Sequence, residues 1–169
     1  MSQRASNGVT NIVVAGLGGQ GVLKASDIIA GAAFLAGLDV KKSEVHGMSQ
    51  RGGSVASDVR FGARVFSPMV SPGEADFLLV LDASQIDVNR GLLAPHGVLI
   101  EPGMLHGHAL RSSKTLNVAL LGALSRHLDF PEALWTQALR ANLAPKLVEF
   151  NLEAFAIGSG AGPRPANSF

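Results

Sequence analysis

Short apolar runs alternate with longer segments of helical periodicity along most of the chain. Five runs have the length and composition of β-strands, at residues 11–15, 39–43, 55–61, 77–81 and 97–100. The first and fourth are almost wholly apolar, which is typical of strands buried on both faces of a parallel sheet. The third alternates apolar and polar residues, as a half-exposed strand does.

Helical patterns fill most of the intervals between these strands and the region after them. They cover residues 22–36, 84–93, 116–128, 131–140 and 145–155. Strand–helix alternation with short connections predicts an α/β, Rossmann-like fold, with a mostly parallel sheet and helices on both faces. We expect the C-terminal third to be mainly helical. A turn at residues 62–63 would add a strand at residues 64–67, forming a hairpin inserted at the sheet edge.

Length and composition favour a single domain. The chain has 169 residues, and we expect one domain over residues 1–157 with a flexible tail, rich in Gly, Pro and Ser, at residues 158–169. Charged residues make up only 16% of the chain, against roughly 25% in a typical soluble domain. So few charges suggest either a helix-covered parallel sheet or a surface partly buried against partners, and we expect both.

Several functional classes are disfavoured by composition. The chain contains no cysteine, so it can form no disulfide and can hold no cysteine-ligated iron–sulfur cluster. A net charge of +1 gives no case for nucleic-acid binding, and the five scattered histidines predict no metal site. The longest apolar run, residues 28–38, is shorter than the roughly 18 residues of a membrane span. The polar first ten residues carry no cleavage pattern, so we expect a cytoplasmic protein.

A glycine pattern follows the first predicted strand. Gly16, Gly18 and Gly21 have the spacing of the dinucleotide fingerprint between a strand and a helix, where unpaired helix amides attract anions. A dehydrogenase would also place an acid about 20 residues later, but Lys41 and Lys42 stand there. NAD is therefore disfavoured, and NADP stays open because a basic side chain can meet a 2′-phosphate. The alternative is that the glycines only allow close helix–sheet packing.

The segment of residues 44–55 combines acidic, imidazole, amide and guanidinium side chains with glycines, and it is interpreted as a polar loop at the working edge of the sheet. Arg51 could bind a carboxylate or phosphate bidentately, although a salt bridge is the simpler role. His46 could carry protons or could bind a backbone carbonyl. Glu44 could orient His46 or pair with Lys42.

One more acid lies near this edge. Asp82 ends the fourth predicted strand, and its spacing to Gln85 favours a helix-capping role over a catalytic one.

The chain closely resembles the small, beta subunit of indolepyruvate:ferredoxin oxidoreductases, which corresponds to the gamma-type subunit or domain of 2-oxoacid:ferredoxin oxidoreductases. The matching stretches are residues 11–21, 43–55, 59–62, 73–76, 121–123 and 151–155, together with Asn117, Lys146, Glu149 and Gly158. Within them, residues 46–53 are the most specific. The resemblance spans nearly the whole chain.

The resemblance implies a subunit that is inactive alone. The complex converts an aryl 2-oxo acid such as indolepyruvate to acyl-coenzyme A and reduces ferredoxin. Thiamine diphosphate, magnesium, 4Fe-4S clusters and coenzyme A are expected on or with a large, alpha-type catalytic partner. No catalytic residue transfers from the family, so Glu44, His46 and Arg51 remain catalytic candidates. The candidates for an anion, coenzyme A or partner contact are Gly16, Gly18, Gly19, Gln20, Gly21, Arg51, Gly52 and Gly53.

Three alternatives stay open. An NADP-dependent oxidoreductase could use the loop from Gly16 to Gly21, and a non-catalytic relative could serve as a scaffold. Within the family, the substrate could be 2-oxoglutarate, pyruvate or phenylglyoxylate instead of indolepyruvate.

Overall fold

A computed structural model describes residues 8–46 and 53–160. The strands are β1 (Val9–Leu17), β2 (Asp39–His46), β3 (Ser54–Gly62), β4 (Ala75–Val80) and β5 (Leu93–Ile100). The helices are α1 (Val22–Leu35), α2 (Ile86–Asn89), α3 (Leu116–Ser125), α4 (Glu132–Asn142) and α5 (Val148–Ser159). Single 3-10 turns flank several of them.

The five strands form one mixed sheet in the order β2-β3-β1-β4-β5. β1 pairs in parallel with β4, and β4 with β5, whereas β3 lies antiparallel between β1 and β2. Four of the five strands therefore run in one direction, which confirms the mostly parallel α/β fold. The antiparallel hairpin at the sheet edge consists of β2 and β3.

The predicted loop over residues 44–55 was too long. Glu44 and Val45 continue β2, where they pair with Ser57 and Ala56 of β3. β2 is an edge strand, so its polar side chains remain partly exposed while its backbone pairs on one side. The interior of this connection, residues 47–52, lies outside the described residues.

The predicted strand at residues 64–67 was wrong. Side-chain carboxylates of β2 and β3 bind the backbone of this segment in place of a strand ladder. The amide of Val65 donates to Asp39 at 2.8 Å, and the amide of Val70 donates to Asp58 at 2.9 Å. The segment therefore crosses the sheet as an irregular loop.

The two sheet faces are covered unequally. Helices α1, α3, α4 and α5 pack with one face in a single large core that includes Ile12, Leu79 and Trp135. The other face has a smaller cluster beneath the loop that contains Val70 and beneath α2, whose Ile86 packs against it. Helices on both faces and a helical C-terminal third are confirmed.

Helices α3 and α5 make the closest contact in this core. A Cβ atom on Gly158 would lie 2.7 Å from the carbonyl carbon of Ala119, and one on Gly122 would lie 2.8 Å from the amide nitrogen of Ser159. Real Cβ atoms do not approach so closely, so the two glycines set the separation of the helices. α5 continues to Ser159, and residues 161–169 of the predicted tail lie outside the described residues.

The pH dependence of stability tests the contact between Asp58 of β3 and the backbone at Val70. Burial raises the pKa of Asp58 above its ordinary value of 3.8, against the opposing effects of the Val70 amide and the Arg60 guanidinium. The folded chain therefore binds this proton more tightly than the unfolded chain does, and the stability from this group is lost as pH rises through the folded pKa. Asp58→Asn keeps an acceptor for Val70 and removes the buried charge.

We expect Asp58→Asn to raise Tm at pH 7, with the advantage shrinking toward pH 4. Thermal unfolding of both proteins between pH 4 and pH 8 measures this. An advantage that grows on acidification would show that Asp58 is better stabilised as a carboxylate in the fold.

Candidate functional site

The sheet has a switch point between β1 and β4. β1 leads through the glycine turn to α1 on the large-core face, whereas β4 leads to α2 on the other face. Adjacent parallel strands whose connections diverge in this way leave a crevice at their carboxyl ends, where open α/β proteins bind ligands.

Gln20 and Asp82 bridge this crevice. The Gln20 side chain accepts a hydrogen bond from the Leu17 amide at 2.7 Å and donates one to Asp82 Oδ2 at 2.8 Å. The amide group of one glutamine thus joins the glycine turn to the end of β4. The usual ligand position directly between the strands is occupied by protein hydrogen bonds.

Asp82 also caps the turn at Ala83–Gln85, as the sequence predicted. Its Oδ1 accepts from the Ser84 amide at 3.0 Å and from the Ser84 hydroxyl at 2.6 Å. Hydrogen bonds from Ser84 and then Gln20 lower the pKa of Asp82, so the carboxylate is charged at neutral pH. The capping box is incomplete, because Gln85 Oε1 has no hydrogen-bond partner among the described residues.

Packing and backbone conformation account for the glycines of the turn. A Cβ on Gly16 would lie 2.9 Å from Val22 Cγ2, so Gly16 is required for close helix–strand packing. Gly19 and Gly21 both have a φ of 87°, a left-handed conformation that other residues rarely adopt. The amide of Gly18 donates to the Gly53 carbonyl at 2.9 Å, which attaches the turn to the start of the β3 segment.

A cleft of about 770 Å³ opens beside the turn, between α1, α3 and α5. The first residues of α1 and of α3 both face it, and Asn117 of α3 joins them by donating to the Gly21 carbonyl at 3.3 Å. The lining residues are Gly19, Gln20, Gly21, Lys24, Leu81, Ser112, Ser113, Lys114, Thr115, Leu116, Asn117, Val118, Leu143, Leu147, Phe150 and Asn151.

The charged part of the cleft lining is suited to anions. Lys24 and Lys114 line it, and the lining residues include no Asp or Glu. α1 begins at Val22, after Gly21 as its N-cap, without a side-chain cap and without an acid in its first turn, so its first amides and the positive end of its dipole are available to a ligand. Two lysines beside these amides can hold phosphate or carboxylate groups.

Another part of the lining is apolar and half-exposed. Leu147 is 44% exposed and Phe150 is 47% exposed, values that are high for large apolar side chains. The Arg111 guanidinium lies over the Phe150 ring, 5.7 Å from its centroid, and pairs with Glu153 at 3.0 Å. The lining therefore combines two lysines with a half-exposed aromatic side chain.

The structure brings only part of the predicted site together. Gly16 to Gly21 and Gly53 meet at the working edge of the sheet, whereas Arg51 and Gly52 lie outside the described residues. Glu44 is exposed on β2 with the Lys42 ammonium 3.4 Å from its carboxylate, so the predicted Lys42 contact is present. The backbone of His46 ends β2 opposite Val55.

The cleft residues Lys24, Lys114, Asn117 and Phe150 were missed as site residues. Only Asn117 had a signal, because it belongs to the matching stretches of the family resemblance.

The geometry does not favour dinucleotide binding. β3 separates β2 from β1, so the end of β2 is one strand further from the glycine turn than in a dinucleotide fold. Lys42 is engaged by Asp27 of α1 and by Glu44. The Lys42 ammonium is therefore paired within the chain and is not free to bind a ribose phosphate.

Residues 8–46 and 53–160 contain no group of three or more His, Cys, Asp or Glu side chains placed to hold a metal ion. In the same ranges, no helix is both long and apolar enough to cross a membrane.

The fold is Rossmann-like, with a cleft beside the glycine turn, and comparisons with known proteins identify its family. Residues 11–102 match the family described as pyruvate ferredoxin/flavodoxin oxidoreductase. The chain belongs to this family. It is 32% identical to indolepyruvate oxidoreductase subunit IorB of Methanothermobacter thermautotrophicus, over 89% of this chain and 96% of that one. For the same subunit of Thermococcus kodakarensis the identity is 33%, over 88% and 93%.

Solved structures show the same fold. The keto/oxoacid ferredoxin oxidoreductase gamma subunit of Geobacter sulfurreducens matches with a TM-score of 0.73 and 24% identity, over 88% of this chain and 95% of that one. A 2-oxoglutarate:ferredoxin oxidoreductase of Magnetococcus marinus, solved with 2-oxoglutarate, coenzyme A and succinyl-CoA bound, has a TM-score of 0.77 and 21% identity. This match covers 96% of the present chain and 32% of the Magnetococcus marinus chain. The family resemblance and the expectation of an oxidoreductase subunit are confirmed.

Proposed function

We propose that this chain is the small subunit of an indolepyruvate-type 2-oxoacid:ferredoxin oxidoreductase and that its cleft supplies the coenzyme A wall of the complex. The observation that carries the proposal is the cleft itself, where Lys24 and Lys114 lie beside two helix starts with no acid in the lining. The names of the relatives, indolepyruvate oxidoreductase subunit IorB, support the substrate.

Coenzyme A suits both the charged and the aromatic parts of the cleft lining. Its phosphates are anionic and lie at the nucleotide end, so they would meet the lysines and the first amides of α1. Its adenine is a flat aromatic group that would pack against the half-exposed Phe150 side chain. With the nucleotide held in this way, the thiol end would extend out of the open cleft toward a partner.

The electron-carrying and decarboxylating groups are assigned to a large alpha-type partner. This chain has no cysteine to ligate an iron–sulfur cluster, so its side chains do not fit that group. We assign thiamine diphosphate to the partner because the family resemblance implies it there. The role of the chain is to bind and orient coenzyme A, and ferredoxin would be reduced on the partner.

The substrate is tested on the assembled complex of the full chain with the large subunit encoded by the same host. Dye reduction in the presence of coenzyme A is measured with indolepyruvate, phenylglyoxylate, pyruvate and 2-oxoglutarate. We expect kcat/KM for indolepyruvate to exceed that for pyruvate by at least about tenfold, a difference of about 1.4 kcal/mol. Preference for 2-oxoglutarate or pyruvate, or turnover by this chain alone, would overturn the proposal.

A further inference from the structure

The Asp82 carboxylate lies directly behind the proposed anion cleft. An aspartate carboxylate is charged at neutral pH, and hydrogen bonds from Ser84 and Gln20 lower the pKa of Asp82 further. A bare carboxylate at this edge would repel an anionic ligand, since unit charges a few ångströms apart interact strongly near a protein surface. Asp82 does not line the cleft, but Gln20 does.

We infer that Gln20 is a positioning and specificity residue that fixes the glycine turn and separates the Asp82 carboxylate from the ligand. This inference rests on the proposed function of the cleft. The neutral amide of Gln20 satisfies both tasks at once, because its oxygen binds the Leu17 amide at 2.7 Å and its nitrogen binds Asp82 Oδ2 at 2.8 Å.

Polarity explains why a glutamine performs this role. A carboxylate at position 20 would still accept from Leu17 but would oppose Asp82, and an apolar side chain would leave both partners unsatisfied. A lysine could bind Asp82 but could not accept from the Leu17 amide. Among these side chains, only the amide holds the turn closed and adds no charge to the cleft.

Exchanging the amide and the carboxylate between positions 20 and 82 separates the hydrogen-bonding task of Gln20 from its electrostatic task. Gln20→Glu alone places two carboxylates against each other and should lower Tm of the isolated full chain. Adding Asp82→Asn restores a donor toward position 20 and keeps an acceptor for Ser84, so the double variant should regain most of the wild-type Tm. The negative charge has then moved from behind the cleft to its lining.

Kinetics of the assembled complex measure the electrostatic task. For the double variant, Gln20→Glu with Asp82→Asn, we expect KM for coenzyme A to rise about tenfold with kcat little changed. The reason is that one negative charge in the cleft lining now repels the phosphates of coenzyme A. Gln137→Glu is the matched control, since it makes the same change at an exposed position of α4. It should leave both Tm and KM at wild-type values.

Each outcome decides one part of the inference. If the double variant does not regain Tm, the inference that the hydrogen bond between residues 20 and 82 stabilises the glycine turn is wrong. A double variant with wild-type KM, or an equal rise in KM for Gln137→Glu, would overturn the charge separation. If the wild-type complex shows no dependence on coenzyme A, the proposed function itself fails, and the Tm comparison still tests the hydrogen bond.

Discussion

Gly158→Ala should destabilise the chain by at least about 3 kcal/mol, which is a large fraction of the roughly 5–15 kcal/mol that keeps a typical domain folded. The added methyl group would overlap the carbonyl group of Ala119, which belongs to the backbone of α3 and cannot rotate away. Relief requires that α3 and α5 separate, and that separation would expose the core between them. Gly122→Ala should have a similar effect from the other helix, against the backbone of Phe155 and Ser159.

Gly31→Ala is the matched control for this prediction. Gly31 is also a helical glycine, but a Cβ there would lie 3.5 Å from the Ala138 Cβ, an ordinary contact. The better helix propensity of alanine should make this variant neutral or more stable by about 0.5–1 kcal/mol. Urea unfolding of the three variants measures the difference. A loss below about 1 kcal/mol for both Gly158→Ala and Gly122→Ala would show that the helices are not in this close contact.

The central strands could be predicted from the sequence because their signal is local. β1 and β4 are nearly continuous apolar runs, and any strand buried on both faces must have such a composition. The segment around Val65 also has strand-like residues, yet its amides bind Asp39 and Asp58. Those partners lie on other strands, so no pattern within the segment could identify them.

Only part of the candidate site could be predicted from the sequence. The glycine turn has a recognisable spacing, and the structure places it at the switch point as expected. The cleft beside it combines Lys24 with Lys114, two residues that the fold brings together from distant parts of the chain. Each lysine alone is typical of an exposed surface, and only the packing of α1 against α3 gives the pair a shared role.

Charge reversal in the cleft should weaken coenzyme A binding strongly. Lys24→Glu and Lys114→Glu each replace an attractive charge by a repulsive one, and each should raise KM for coenzyme A about tenfold. The combined variant should show about a hundredfold rise if the two effects add. Lys24→Glu also places an acid in the first turn of α1, where the helix dipole favours it, so loss of folding should not explain the result.

Lys41→Glu is the control for this pair. Lys41 of β2 pairs with Arg60 of β3, and its side chain lies on the sheet face that points away from α1. It makes the same change in charge without approaching the cleft. It should therefore leave KM for coenzyme A within about twofold of wild type, a difference of less than about 0.5 kcal/mol.

The central claim is that this chain holds coenzyme A for a reaction centre on its partner. KM for coenzyme A, measured on the assembled complex carrying Lys24→Glu and Lys114→Glu together, tests it most directly. We expect a rise of about a hundredfold with kcat within about twofold of wild type, since the lost interactions serve binding and not the chemical step. An unchanged KM, or a rise matched by Lys41→Glu, would contradict the claim.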